Sequence, residues 1–197
     1  MRELYRQVKL PDSRSITDEI DYVSSVSGGS LSSAYWCLNK PEVDTTETDR
    51  YDAFFDAYLA DMRVNIEKKM AGSPLAWYRY GLAPEDRAVV LAGALDTLYF
   101  GNRTFADLAD RQHRGVSPVL IANGTDMETG AKFLFTTLRS ADFEVDPARI
   151  APRAVERLEA SGIGLGADVF GVVTPDDIGV SVEDMGVSLA VAASSSV

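Results

Sequence analysis

The chain has 197 residues, is 46% hydrophobic and carries a formal net charge of −11. That length and apolar content suit one domain with a sizeable core. Acidic residues spread along the chain argue against nucleic acid, and against electrostatic docking on anionic membranes, while leaving a neutral lipid interface accessible. The longest apolar runs, such as Ala88–Leu95, fall far short of the roughly 20 residues that a membrane-spanning helix needs. With Cys37 the only cysteine and His113 the only histidine, an internal disulfide, a paired-cysteine zinc site and a two-histidine metal site are all excluded.

Residues 2–9 read as the end of a helix, followed by the breaker LPDSRSITDE. Met1 is followed by RELYRQVKLPDS, which lacks the apolar core of a secretory signal, so a cytoplasmic setting is expected for the segment as given. Ile20–Val26 is β-branched and apolar enough for a strand, and Gly28-Gly29 break it. From Leu31, apolar residues recur at helical spacing through Ala34, Tyr35 and Leu38 until Pro41.

Residues 41–115 read as a mostly helical insertion within a single domain spanning 1–197. YDAFFDAYLADMRVNIEKKM carries Phe54, Phe55, Tyr58, Leu59, Met62 and Ile66 at three- and four-residue intervals, and PEDRAVVLAGALDTLYF opens with proline and acids, as a helix start should. Val119–Ala122 is expected as a short buried strand of a parallel sheet, and TGAKFLFTTL as a second strand turning back. Residues 147–161 have a helical pattern, residues 166–174 suit another strand, and VSLAVAASSSV suits a helix or a tightly packed turn.

The chemistry centres on Ser25-Val26-Ser27-Gly28-Gly29, where an expected strand meets an expected helix. A serine hydroxyl attacks a carbonyl well when it is exposed, beside a base, and near donors that stabilise the oxyanion. A strand-to-helix elbow supplies the exposure and sets the next N–H at the positive end of a helix. Small flanking residues are expected to relieve crowding in so sharp a turn. Ser25 stands where the G-x-S-x-G pattern has its first glycine. The plainer alternative is a structural turn that happens to contain serine. A third reading makes residues 27–32, SGGSLS, an ATP or pyrophosphate loop, but Leu31 stands where such loops carry an aspartate.

Three blocks together resemble the patatin-like phospholipase family, particularly its bacterial branch. IDYVSSVSGGSLSSAYW resembles the nucleophile segment, and PVLIANGTDMETGAKFLFTT the family's strand, Asn-x-Thr-Asp loop and returning strand. LAVAASSSV resembles its Ala-rich segment, where a helix ends in Ala-Ser before a proline. The blocks occur in the family's order, across 1–197 with a divergent middle. The resemblance implies a three-layer α/β/α hydrolase core that uses a Ser-Asp dyad, with Ser27 as nucleophile and the Gly28 N–H as an oxyanion donor. It implies a lipid or phospholipid ester substrate met at a transient membrane or micelle surface, with no metal or organic cofactor. The family's Asp-Gly loop is expected beyond Val197, and its Gly-Gly-Gly-x-Arg oxyanion loop before Met1; this sequence contains no Asp-Gly dipeptide. The chain is therefore expected to be a piece of a longer hydrolase, inactive alone. The alternative is a non-catalytic fragment or lipid-binding module.

Asp126, in NGTDMETG, is the best internal substitute for the missing base, although Asn123, Gly124, Asp126 and Gly130 together suit a hydrogen-bonded turn. Asp184 suits an acid near a helix N-terminus. Gly162, Gly164 and Ala167 have the spacing of a dinucleotide loop but follow a helical pattern, where a helix end fits better. His113 is expected on a polar surface, and Cys37 on the apolar side of the helix after the elbow. Trp36, Trp77, Tyr78 and Tyr80, with Phe54 and Phe55, suit either plain core or the lining of an acyl-chain groove.

Overall fold

A computed structural model of the chain describes residues 1–66, 87–126, 128, 130–143, 153, 156–157 and 172–195. The dinucleotide-like 161–167 segment, most of the helical pattern at 147–161, and Trp77, Tyr78 and Tyr80 lie outside them.

One mixed sheet organises the described residues. β1 (Tyr22–Val26) and β2 (Val119–Thr125) run parallel, with Ser24 beside Ile121 and Val26 beside Asn123. β3 (Lys132–Phe135) returns antiparallel to β2, and β4 (Val172–Val173) pairs parallel to β3, giving the order β1-β2-β3-β4. The class is α/β, as expected. β2 is longer than the sequence implies: Asn123 and Gly124 belong to the strand, and beyond it Gly130 N–H donates to Asp126 O at 2.8 Å. β1 is shorter than expected, because a 3-10 turn at Ile16–Glu19 runs almost up to it.

Six helices are described: α1 (Arg2–Gln7), α2 (Gly28–Asn39), α3 (Thr48–Met62), α4 (Arg87–Leu95), α5 (Phe105–His113) and α6 (Val187–Ser194). α2 starts at Gly28, three residues before the apolar periodicity becomes visible. α4 runs on into a π-helical turn, Asp96–Phe100, that ends at Gly101 with φ +60°, the left-handed conformation glycine adopts without penalty. α5 is set by a complete capping box between Thr104 and Asp107. Its free first-turn N–H groups are met from afar, Phe105 by Met185 O at 3.0 Å and Ala106 by Glu183 O at 3.1 Å. Most of the described part of 41–115 is helical, and α4 and α5 share their core with α2, α6 and β2 rather than enclosing one of their own.

α2, α5 and α6 pack on the sheet face to which Val23 and Leu120 belong. The main core joins Ala34, Trp36 and Leu38 of α2 to Leu95, Phe105, Leu108, Leu120 and Val191. α6 buries residues all round its axis, and its small side chains, Ala190 and Ala192 among them, allow close approach to α4 and β2. A second cluster ties α1 to α3 through Tyr5, Tyr51 and Phe55, with Tyr5 and Tyr51 stacked at 5.1 Å. Alternation turns Tyr22 and Val26 to the opposite sheet face, where they are 61% and 59% exposed. At β1, the described structure therefore has helices on one face only. No described helix is long and apolar enough to cross a membrane.

Candidate active site

β1 delivers the chain to Ser27, and α2 begins at the next residue. A one-residue reversal from strand to helix is possible only in an unusual conformation, and Ser27 has φ +54° and ψ −132°. For a non-glycine residue this costs about 1–3 kcal/mol, held in place by the surrounding structure. The restraint is visible. The Ser27 N–H donates to Ser194 O at 3.1 Å and to Ser194 Oγ at 3.2 Å. Ser27 is exposed, and its hydroxyl neither caps α2 nor hydrogen-bonds any described residue.

A chain of hydroxyls lies under the turn, and its direction follows from proton count. Asn123 O only accepts, so Ser194 Oγ donates to it, at 2.5 Å. With that proton engaged, the 2.9 Å contact between Ser30 and Ser194 has Ser30 donating, and Ser30 in turn accepts from Ser25 at 3.4 Å. Asn123 also donates through Nδ2 to Ser24 Oγ at 2.9 Å and to Ser25 O at 2.8 Å. Residues from three distant stretches, around 27, 123 and 194, are thereby locked together. The serine at the first-glycine position is thus a hydrogen-bonding member of the network. A Cβ added at Gly29 would sit 3.7 Å from the Ser25 Cβ, and one at Gly28 would meet nothing within 4 Å. The expected crowding is therefore absent at Gly28, which is exposed at the start of α2.

The two ends of α2 are treated oppositely. Arg103 Nη1 donates to Leu38 O at 2.8 Å, and Arg111 donates to Cys37 O at 2.9 Å, to Lys40 O at 2.6 Å and to Glu42 at 2.9 Å. Two guanidiniums therefore satisfy the last carbonyls and face the negative end of the helix. Burial pushes the Arg111 guanidinium below its usual value, and Glu42 works against that. At the other end, no side chain caps the first turn, so its positive end is open beside Ser27. The sequence held no local signal for Arg103 or Arg111, which reach α2 from more than sixty residues away.

Among the described residues no carboxylate hydrogen-bonds Ser27. Asp126 serves its own loop: its N–H donates to Ala131 O at 2.9 Å, and its Oδ1 accepts from Glu128 N–H at 3.0 Å. Asp184 is exposed, two residues before Gly186, the N-cap of α6. His113 is exposed in the last turn of α5. Cys37 is fully buried, and burial pushes its thiol up to about 12, which removes it as a nucleophile near neutral pH. Trp36 and Phe55 are core residues, 2% and 1% exposed, and Phe54 packs against both clusters. The described residues contain no group of histidine, cysteine and acidic side chains able to hold a metal ion. For the pyrophosphate-loop reading of residues 27–32, all but Ser27 are helical, so the amides it calls on are those of the first turn of α2.

Comparison of the chain with protein-family models, with curated proteins and with solved structures found no match.

Proposed function

We propose that the chain is the nucleophile-bearing part of a serine lipid acyl hydrolase of the patatin-like type, built on a three-layer α/β/α core. The observation that carries this is Ser27 itself, exposed at positive φ between a parallel strand and an uncapped helix N-terminus. In this reading Ser27 Oγ attacks the carbonyl carbon of a lipid or phospholipid ester, and its proton passes to an aspartate located beyond Val197. The tetrahedral oxyanion takes a hydrogen bond from the Gly28 N–H and the field of α2. Collapse expels the alcohol and leaves an acyl-enzyme on Ser27, and water then releases the fatty acid. A free aspartate titrates near 3.9, so such a base depends on surroundings that raise its proton affinity.

The test is labelling of the longer parent protein with a fluorophosphonate probe. Labelling and ester hydrolysis are expected to vanish in Ser27→Ala, and retention of both overturns the assignment. A second reading, lipid binding without turnover, is favoured by the lack of any described carboxylate bonded to Ser27. It predicts vesicle or micelle binding by the chain with no probe adduct in the parent.

A further inference from the structure

Ser27 is held from a distance by a single side chain. Ser194, the last residue of α6 and 1% exposed, brings one oxygen to a point where β2, α2 and the elbow meet. Its Oγ donates to Asn123 O at 2.5 Å, accepts from Ser27 N–H at 3.2 Å, and accepts from the Ser30 hydroxyl at 2.9 Å. A hydroxyl has one proton and two lone pairs, so every position on Ser194 Oγ is filled. The group cannot turn without breaking these contacts. The helix that carries it is equally confined, with Val187, Ala190, Val191 and Ala192 fully buried.

The Ser27 N–H meets Ser194 twice, at Oγ and at the carbonyl oxygen 3.1 Å away. This pairing fixes the direction of the Ser27 peptide plane. It therefore opposes relaxation from φ +54° and ψ −132° to the extended conformation that serine prefers. Ser27 Oγ has no hydrogen bond to any described residue, so its direction follows the backbone alone. Relaxation would swing that oxygen aside, and a misplacement of about 1 Å in a reacting group can cost a hundredfold in rate.

We propose that Ser194 is a positioning residue for the nucleophile: its hydroxyl, pinned by Asn123 O, keeps the Ser27 backbone in the turn that presents Oγ to an ester carbonyl. The inference rests on the reading of Ser27 as nucleophile. Ser194 touches no reacting atom in it and acts only through the Ser27 main chain.

Saturation kinetics of fluorophosphonate labelling in the longer parent protein separate this role from a merely structural one. Ser194→Ala is expected to lower the maximal rate of labelling at Ser27 by about tenfold or more, with the half-saturating probe concentration within about twofold, because placement of the nucleophile acts on bond formation and not on binding. Thr45→Val is the control. It removes another fully buried hydroxyl, which accepts from Ser15 N–H at 2.6 Å and donates to Asp18 at 2.6 Å beyond the far end of α2, and both constants are expected to stay unchanged. A rate for Ser194→Ala within about twofold of wild type overturns the inference, as does an equal fall in Thr45→Val. In the chain itself, the Ser27 amide proton is expected to exchange about tenfold faster in Ser194→Ala, through loss of one acceptor. Unchanged exchange also overturns the inference. A wild-type parent that takes no label at Ser27 removes the nucleophile reading and this inference with it, whereas undiminished labelling of Ser194→Ala removes the inference alone. If Ser194→Ala does not fold, judged by circular dichroism, Ser194→Cys, whose thiol is a weak donor and acceptor of similar size, carries the same expectations.

Discussion

At the scale of single residues, Ser194 does more for the elbow than any neighbour of Ser27 in sequence. Its carbonyl and hydroxyl both receive the Ser27 N–H, and its own proton reaches Asn123 O on β2. Replacing it with alanine leaves the Ser30 hydroxyl without its acceptor inside a buried site. Ser194→Ala is expected to cost about 1–3 kcal/mol in chemical denaturation. A double-mutant cycle with Ser30→Ala should give a coupling of about 0.5 kcal/mol or more, because the two hydroxyls share one bond; additive losses would show that the chain of hydroxyls does not act as a unit. The serine-rich run AASSSV could be read as an Ala-Ser helix end, but not as a support for Ser27. Its role depends on a contact spanning 167 residues, and no local pattern encodes such a partner.

At the scale of elements, α2 carries the site and is anchored from its far end. Arg111, with a side chain 11% exposed, ties Cys37 and Lys40 carbonyls to Glu42 and complements the negative end of the helix. Arg111→Met keeps most of the volume and removes every donor, so it is expected to destabilise the fold by about 2 kcal/mol or more in thermal or urea unfolding. A shift within error would mean that solvent replaces these bonds freely. The existence of α2, β1, β2 and β3 was legible because each has a clear apolar period or a short apolar run bounded by breakers. Their ends were not. α2 starts early because glycines and serines, poor in periodic signal, are helical once Ser27 has turned the chain. β2 runs late because Asn123, a turn former by habit, finds better partners on β1. The candidate nucleophile was likewise legible from its short flanking residues, whereas its hydroxyl network and the arginine anchors came only from the tertiary contacts.

For the whole molecule, buried acids that resist ionisation shape the response to pH. Burial lifts the Cys37 thiol to about 12, and burial with the Asp61 hydrogen bond lifts the Tyr35 hydroxyl to about 12, while Tyr51 is raised chiefly by burial. Their unfolded forms titrate near 9.0 and 10.0. Above those values the unfolded chain holds fewer protons than the folded one, so the contribution of these groups is complete below about pH 9 and is lost as pH rises towards 12. Urea midpoints are expected to be insensitive to these groups from pH 7 to about 9 and to fall beyond it, with the Cys37→Ala variant losing part of that fall. A midpoint that stays level to pH 11 contradicts the burial of these groups. A different consequence follows from β1 standing, among the described residues, at the edge of the sheet with Tyr22 and Val26 exposed and no charged side chain between them. Such an edge is a template for another strand, and the net charge of −11 opposes its pairing between copies. Salt shortens the reach of that repulsion to about 8–10 Å near physiological strength. Association through this short uncharged strand is therefore expected to increase with added salt, where assemblies built on ion pairs would come apart.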